Sequence, residues 1–222
     1  MERELIVTAD GSHSVRIAPL NITYHSVHGA IRESGHVYIK ALAPFLESQQ
    51  EVRVFEMGFG TGLNALLTYI AAEQKNVFID YITVEKYPLD ITITNRLNYC
   101  ALLKRPDLQG LLSQLHAQAW EQACLLSSNF RFTKIAGDIQ DIALHMPSID
   151  VVYYDAFAPD VQPCLWQPDV FKKLAGWMEP GGVLVTYCSK GVVRRAMQEA
   201  GLSVGKLPGP PGKREITRAV KE

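Results

Sequence analysis

The chain has 222 residues, of which 47% are apolar and 20% are charged, and its formal net charge is −1. This length and composition fit one globular domain with a single sizeable core. No apolar run reaches the roughly 18 residues that span a bilayer, and the start does not resemble a signal peptide, so we expect a cytoplasmic protein without membrane contact. The four cysteines form no Cys-x-x-Cys pair, which argues against a disulfide framework and a zinc knuckle.

Short apolar runs alternate with helical patterns along most of the chain. The predicted strands are Val52–Glu56, Phe78–Glu85, Phe130–Ala136, Asp150–Asp155 and Val183–Tyr187. The predicted helices between them are Leu63–Glu73, Leu89–Leu103, Leu108–Leu126, Ile139–His145 and Pro168–Trp177. This alternation predicts a mostly parallel sheet with helices on both faces. Two further strands, Leu202–Lys206 and Glu215–Val220, are expected to add an antiparallel C-terminal pair, which makes seven strands in all.

The first fifty residues are less regular than the rest. A hairpin-like start, Arg3–Ala9 and Val15–Pro19, precedes a helix near Arg32–Glu47. We therefore expect residues 1–50 to form an N-terminal extension or lid and residues 51–222 to form the main domain, within one compact unit.

A glycine-rich turn follows the first predicted strand of the main domain. Glu56 ends the apolar run, and Gly58, Gly60 and Gly62 alternate with other residues before a helical pattern. Without Cβ atoms the backbone can approach a ligand, and the helix offers unpaired N–H groups. A dinucleotide fold would prefer G-x-G-x-x-G, whereas an acidic residue beside this turn suits a cationic amino-acid ligand. The motif favours S-adenosylmethionine.

Acidic residues stand at the ends of four predicted strands: Glu56, Glu85, Asp138 and Asp155. Ligands bind at this edge of such a sheet. Glu85 has the spacing of a residue that accepts ribose hydroxyls, which does not separate S-adenosylmethionine from NAD. Asp138 could accept from an adenine amino group, and Asp155 would then face the transferable group. Helix capping is the structural alternative for Asp138 and Asp155.

Several segments form a recognisable set: Tyr24–Ala30, Glu33–Val37, Glu56–Leu66, Val84–Pro88, Ala136–Asp138, Tyr154–Pro159, Pro163–Trp166, Thr186–Gly191, Val193–Arg195 and Leu207–Glu215. Together they resemble the MnmC-type tRNA wobble-uridine methyltransferases, and the likeness covers nearly the whole chain. The D-A-F-A-P and G-K-R-E stretches are the specific ones, whereas many methyltransferases share the glycine turn.

The resemblance implies a class I, Rossmann-like α/β fold and an S-adenosylmethionine-dependent tRNA methyltransferase. Its members methylate the 5-aminomethyl group of the modified wobble uridine at position 34, giving 5-methylaminomethyl-uridine or its 2-thio form. In two-domain members an FAD-dependent oxidase domain supplies that amine. This sequence has no second glycine-rich nucleotide turn, so it resembles the stand-alone form, and we expect a separate enzyme to supply the aminomethyl-uridine.

The resemblance and the motifs together give a set of expected site residues. Asp155 and Phe157 are the expected catalytic pair. An ordinary Asp has a pKa of about 3.9, far below that of an alkylamine, so Asp155 is expected to orient the amine, and a base role would need a raised pKa or a water relay. The expected cofactor contacts are Glu56, Gly58, Gly60, Gly62, Leu63, Asn64, Glu85, Lys86, Asp138 and Asp155.

The C-terminal part of the chain is basic, with eight Lys or Arg against three Glu from residue 186 to residue 222. A basic end can meet phosphate, although a solvated charged surface is equally compatible with charge alone. The expected contacts with the tRNA anticodon stem-loop are Tyr24, Trp166, Lys190, Arg194, Arg195, Lys213 and Arg214. For Phe157 and Trp166, stacking on a flipped-out base competes with core packing, and packing is favoured for Trp166. His25, His28 and His36 lack an obvious fourth partner, so no metal is expected.

Two other functions keep the same cofactor residues. A methyltransferase or aminopropyltransferase acting on a small-molecule amine would need no basic surface. A non-enzymatic adenosyl-binding module would have no use for the D-A-F-A-P segment.

Overall fold

The computed structural model describes residues 2–143 and 148–222. Its strands are β1 Arg3–Val7, β2 His13–Ile17, β3 Ile22–Thr23, β4 Glu51–Met57, β5 Phe78–Glu85, β6 Cys124–Ser127, β7 Phe130–Ala136, β8 Ile149–Tyr154, β9 Met178–Thr186, β10 Leu202–Pro208 and β11 Glu215–Lys221. Its α-helices are α1 Ala30–Ser34, α2 Lys40–Ser48, α3 Leu63–Lys75, α4 Ile91–Thr94, α5 Tyr99–Leu102, α6 Gln109–Ala117, α7 Pro168–Trp177 and α8 Gly191–Glu199. A π-helical turn, Gly35–Ile39, joins α1 to α2, and 3-10 turns lie at Ala18–Leu20, Pro106–Leu108 and Pro163–Trp166.

The main sheet has the strand order β10-β11-β9-β8-β4-β5-β7-β6. Its five central strands are parallel, while β10, β11 and β6 pair antiparallel with their neighbours. Consecutive residues of each buried strand point to opposite faces, so Tyr153 joins the core on one face and Tyr154 the core on the other. The α/β fold with a C-terminal antiparallel pair is confirmed.

The sheet has eight strands rather than the expected seven, because β6 lies within the predicted helix Leu108–Leu126. Helix α6 ends at Ala117, and Glu121, with a φ of 56°, donates its N–H to Lys134 O and turns the chain back along β7. The four residues of β6 have no marked strand propensity of their own. Their conformation comes from pairing with β7, a tertiary effect that a local pattern does not contain.

Two other predicted helices differ from the structure, and one observed helix was not predicted. The predicted helix Leu89–Leu103 is two short helices, α4 and α5. Helix α8, which buries Val193, Ala196 and Met197 on one face, was not predicted. In the predicted helix Ile139–His145, residues 139–143 form a turn and loop, and the remainder lies outside the described residues.

The first fifty residues contain two different parts. Strands β1, β2 and β3 form a small antiparallel sheet of their own. The helical part packs into the core, where the ring of Tyr38 lies 5.2 Å from that of Tyr153. The division into a lid and a main domain stays a prediction.

The connections place the functional edge of the main sheet. From β4 the chain passes through α3 to β5 on one side, and after β7 it crosses back to β8 on the other side of β4. Strand order therefore reverses between β4 and β8. In open α/β sheets the carboxyl ends of the strands at this point form the ligand crevice.

Candidate active site

A cavity of about 350 Å³ opens at the carboxyl ends of β4, β5 and β8. Its walls come from the glycine turn, the ends of β5 and β8, the loop after β7, the small N-terminal sheet and residues 161–165. Of the expected site residues, the cavity brings together Tyr24, Gly58, Gly60, Leu63, Asn64, Glu85, Lys86, Asp138, Asp155 and Phe157.

The glycines of the turn are required by the protein's own packing. Gly58 has a φ of 93°, and a Cβ there would lie 2.9 Å from the backbone oxygen of Asp155. A Cβ on Gly60 would lie 3.0 Å from the Tyr24 ring, and one on Gly62 would lie 3.1 Å from His116 Nε2. Gly62 is thus packed against protein, outside the cavity lining. The space beside Gly60 belongs to Tyr24, so a substitution there would first displace that ring.

Glu85 links the glycine turn to the next strand end. Its Oε2 accepts from the Gly60 N–H at 3.0 Å, and its Oε1 accepts from the Tyr87 N–H at 2.7 Å. Each carboxylate oxygen has a second acceptor site, so Glu85 can still accept from a pair of ribose hydroxyls.

Asp138 is held at the next strand end along the sheet. Lys86 Nζ donates to its Oδ2 at 2.9 Å, and the Gln140 N–H donates to its Oδ1 at 3.0 Å. Burial raises the pKa of Asp138, but the bonds from Gln140 and Lys86 outweigh burial and leave the pKa below its ordinary value. The bond from Gln140 caps a turn and not a helix, because residues 139–143 form a turn and loop, and the ionised carboxylate lines the cavity as an acceptor.

Asp155 follows β8 and is half-buried against the cavity. Its N–H donates to Met57 O at 3.0 Å, and its Oδ2 accepts from Asn64 Nδ2 at 2.9 Å. Burial raises its pKa to about 6, with a further increase from Glu33, against the lowering effects of Tyr38, Asn64 and Lys213. A carboxylate with this pKa is still mostly ionised at neutral pH, yet it accepts a proton more readily than an ordinary Asp does.

Glu56 lies behind the cavity wall. Its side chain is fully buried, and its Oε2 accepts from Thr83 Oγ1 at 2.9 Å. Burial and the charge of Asp155 raise its pKa to about 8, so the carboxyl is mainly protonated at neutral pH. The expected direct contact with the cofactor is therefore corrected: Glu56 has no surface in the cavity and supports the residues that do.

The aromatic residues divide between the cavity wall and its support. Tyr24 and Phe157 both line the cavity and meet edge to face, with ring centroids 5.0 Å apart. Trp166 is 3% exposed and donates its indole N–H to Phe157 O at 2.8 Å. The expected contact of Trp166 with the substrate is wrong, because the ring is buried among Tyr154, Phe171 and Tyr187.

Two histidines are hydrogen-bonded to Thr61 of the glycine turn, and one of them, His25, also lines the cavity. His25 Nε2 and Thr61 Oγ1 are hydrogen-bonded at 2.7 Å, and His116 Nε2 donates to Thr61 O at 3.0 Å. Burial lowers the pKa of each ring to about 4, so both are neutral. Sequence reasoning missed Thr61 and His116, since His116 stands 55 residues from its partner and belongs to no motif.

The residues expected to contact phosphate differ in their exposure to solvent and in whether they already pair with another side chain of the protein. Lys213 donates to Glu33 Oε1 and lies over the Tyr187 ring, so its expected contact with tRNA phosphate is corrected to an internal one. Lys190 forms an exposed ion pair with Asp160. The other three are arginines that lie outside the cavity lining: Arg194 is half-buried, and Arg195 and Arg214 are exposed.

Within the described ranges 2–143 and 148–222, no group of three or more His, Cys, Asp or Glu side chains is arranged to hold a metal ion. No helix described there is long and apolar enough to cross a membrane.

Comparison with known proteins gives related sequences and folds. The bifunctional MnmC protein of Ralstonia nicotianae, named for tRNA 5-methylaminomethyl-2-thiouridine biosynthesis, is 31% identical over 88% of this chain. That of Stutzerimonas stutzeri is 30% identical, also over 88% of the chain. The chain spans about a third of the length of these curated relatives, 31% in both cases.

Among solved structures, MnmC2 from Aquifex aeolicus superimposes with a TM-score of 0.81 at 23% identity, covering 100% of this chain and 71% of that one. The S-adenosylmethionine-bound amino pentose methyltransferase CalS10 from Micromonospora echinaspora gives a TM-score of 0.52 at 12% identity, covering 87% of this chain and 92% of that one. At these identities the likeness shows the fold.

A family model for S-adenosyl-L-methionine-dependent methyltransferases matches residues 108–222, more than half of the chain. The site fits this cofactor, because Gly58 and Gly60 of the turn line the cavity while Glu85 and Asp138 present hydrogen-bond acceptors there. The chain therefore belongs to the S-adenosyl-L-methionine-dependent methyltransferase family and is an enzyme that uses S-adenosylmethionine as its cofactor.

Proposed function

We propose that this enzyme methylates the 5-aminomethyl amine of the modified wobble uridine, position 34, in tRNA and so forms 5-methylaminomethyl-(2-thio)uridine. The observation that carries the proposal is Asp155, a carboxylate with a raised pKa that faces a cavity walled by Tyr24 and Phe157. The names of the curated relatives support the same substrate.

The expected chemistry is an in-line displacement by the amine. Bound S-adenosylmethionine supplies the methyl group from its sulfonium. Asp155 accepts hydrogen bonds from the neutral amine and aims its lone pair, a positioning effect that can supply much of the rate gain. The proton of the new secondary ammonium leaves to water, because the pKa of Asp155, about 6, is still several units below that of an alkylammonium; Asp155 accepts the hydrogen bond from this N–H while the proton departs.

Phe157 and Tyr24 complete the acceptor side of the proposed site. Phe157 is fixed through its backbone, because its N–H donates to Gln162 Oε1 at 3.1 Å and its carbonyl accepts from Trp166. A fixed aromatic wall suits stacking on a flipped-out base. Tyr24 directly follows β3 of the small N-terminal sheet, which supports the lid interpretation of the first fifty residues.

The tRNA phosphates are assigned to the arginines near the carboxyl end of β9. We assign them to Arg194, Arg195 and Arg214, with Lys190 able to exchange its exposed partner Asp160 for a phosphate, since such pairs contribute only about 0–1 kcal/mol. The substrate amine would come from a separate enzyme.

One experiment tests the substrate directly. The protein and labelled S-adenosylmethionine are incubated with tRNA from a strain that lacks this enzyme, and the nucleosides are analysed by mass. We expect the label in 5-methylaminomethyl-(2-thio)uridine with the wild type and little or none with Asp155→Asn. Label in small amines such as polyamines, with none in tRNA, would refute the proposal in favour of a small-molecule transferase.

A second experiment tests the tRNA surface. The double variant Arg195→Gln/Arg214→Gln should weaken tRNA binding and reduce its salt dependence by about two counterions, because each phosphate contact releases about one. Lys75→Gln is the matched control, because Lys75 lies at the end of α3 opposite the glycine turn. An unchanged salt slope in the double variant would remove these arginines from the tRNA surface.

A further inference from the structure

An ion pair joins the C-terminal turn to the N-terminal helix beside Asp155. Lys213, in the turn between β10 and β11, donates to Glu33 Oε1 on α1. The Glu33 side chain is only 9% exposed, and its Oε2 accepts from the Ser26 N–H at 2.9 Å. The pair links residues 180 positions apart and is largely withdrawn from solvent.

Tyr187 connects this ion pair to the strand end that carries Asp155. Lys213 Nζ lies 4.1 Å from the centroid of the Tyr187 ring, and Tyr187 Oη donates to Ala156 O at 2.9 Å. A cation over a partly desolvated ring is held by the ring quadrupole as well as by its ion-pair partner. Lys213 thus lies over the ring of Tyr187, which is itself hydrogen-bonded to Ala156, the residue after Asp155.

Further contacts fix the turn itself. Gly212 has a φ of 90°, and a Cβ there would lie 2.4 Å from the His28 ring, so turn and N-terminal segment are in close contact. His36 Nε2 donates to Pro208 O at 2.8 Å at the other end of the turn. These contacts hold the turn that carries Lys213 against the N-terminal segment.

We propose that Lys213 and Glu33 are positioning residues for methyl transfer, an oriented ion pair that Tyr187 connects to the strand end carrying Asp155 and whose two opposite charges act on the Asp155 carboxylate. The proposal rests on the proposed function of Asp155 as the group that orients the amine. Lys213 favours the ionised Asp155 that accepts from an amine, and Glu33 keeps that carboxylate able to accept a proton.

Charged and titratable groups face Asp155 from every element packed around it. They are Glu33 from α1, Tyr38 from the π-helical turn, Glu56 from β4, Tyr187 from the end of β9 and Lys213 from the C-terminal turn, and the amide of Asn64 from α3 adds a hydrogen bond. Within this set Lys213 supplies positive charge and lowers the pKa of Asp155, whereas Glu33 raises it. Removing one member of the pair should move that pKa by about half a unit to one unit.

The test measures the protonation of Asp155 in the full chain. With aspartate labelled at the side-chain carboxyl carbon, NMR titration follows each Asp, and Asp155→Asn identifies its resonance. Lys213→Met should raise the pKa of Asp155 by about half a unit to one unit, and Glu33→Gln should lower it by a similar amount. Lys213→Arg keeps the charge and should restore the wild-type value.

Lys206→Met is the matched control, because Lys206 lies on β10 and pairs with Glu215. It should leave the pKa of Asp155 unchanged. If the pair were only structural, Lys213→Met and Glu33→Gln would shift that pKa in the same direction or leave it in place, and either result overturns the proposal. If Lys213→Met does not fold, Glu33→Gln and Lys213→Arg still decide the question.

A second readout separates this proposal from the proposed function. In single-turnover methylation of tRNA, the acid limb of the pH–rate profile should shift to higher pH in Lys213→Met and to lower pH in Glu33→Gln. If Lys213→Met and Glu33→Gln shift the pKa of Asp155 in opposite directions but the wild type does not methylate tRNA, the proposed function is refuted. The effect of the ion pair on Asp155 then still stands. Methylation with no opposite shifts would refute the ion pair and leave the function.

Discussion

Replacing Glu56 with Gln should make the stability of the protein much less dependent on pH. Burial, followed by the charge of Asp155, raises the pKa of Glu56 from 4.5 to about 8. One pKa unit corresponds to about 1.4 kcal/mol, so the full shift corresponds to about 5 kcal/mol. Gln has nearly the same volume, and its carbonyl oxygen can still accept from Thr83, so the substitution mainly removes the titration.

The direction follows from where the proton is held. Between pH 4.5 and about 8 the folded protein keeps the proton on Glu56 while the unfolded chain releases it. The contribution of Glu56 to the free energy of unfolding is therefore fully present below pH 4.5 and is lost as pH rises through about 8. From about pH 5 to about pH 9 the wild type should lose about 4 kcal/mol of unfolding free energy relative to Glu56→Gln.

Urea denaturation at about pH 5, 7 and 9 measures this difference. Glu47→Gln serves as the control, because Glu47 is exposed and its partner Lys75 is also exposed, so its effect should stay within about 0.5 kcal/mol at each pH. The pH dependence of the difference between wild type and variant reports the titration of Glu56 together with its coupling to Asp155. A difference that does not change with pH would refute the reasoning.

Three further predictions concern the site. Gly58→Ala should destabilise the fold by about 1–3 kcal/mol, since its backbone is left-handed and the new Cβ would clash with Asp155 O; an unchanged urea midpoint would contradict this. Asp155→Ala should lower kcat by about 100-fold while calorimetry gives a cofactor Kd within a few fold, and loss of cofactor binding alone would assign Asp155 to the cofactor. Trp166→Phe should cost about 1 kcal/mol in urea denaturation and lower kcat without changing cofactor affinity, because Phe157 O loses its donor; unchanged stability and rate would show that this bond is dispensable.

The parts of the fold that sequence predicted well are those with strong local patterns. Strands β5 and β7 begin and end at the predicted residues, since buried parallel strands are short apolar runs bounded by polar residues and turns. The glycine turn was equally predictable, because three glycines in five residues favour a tight turn. In the structure all three have a positive φ. The edge strand β6 was not readable, because its conformation depends on β7.

The site was predictable as a set of residues but not in its geometry. Ten of the expected residues line one cavity, and three of them, Glu85, Asp138 and Asp155, were expected there from their positions at strand ends. Burial was not predictable: Glu56 and Trp166 lie behind the wall, and Lys213 contacts Glu33 across 180 residues of sequence. Distances of this kind along the chain carry no local pattern. The functional assignments of the residues remain predictions.

The two outer strands of the main sheet affect how readily molecules associate with one another in concentrated solution. Strand β6 has four residues and a register shift between Leu125 and Ser127, while β10 contains Gly205 and ends at Pro208. Short, irregular or proline-containing edges are poor templates for pairing with a strand of another molecule. The apolar central strands are therefore shielded from edge-to-edge aggregation, and we expect concentrated solutions of the folded protein to resist growth of the sheet from one molecule into the next.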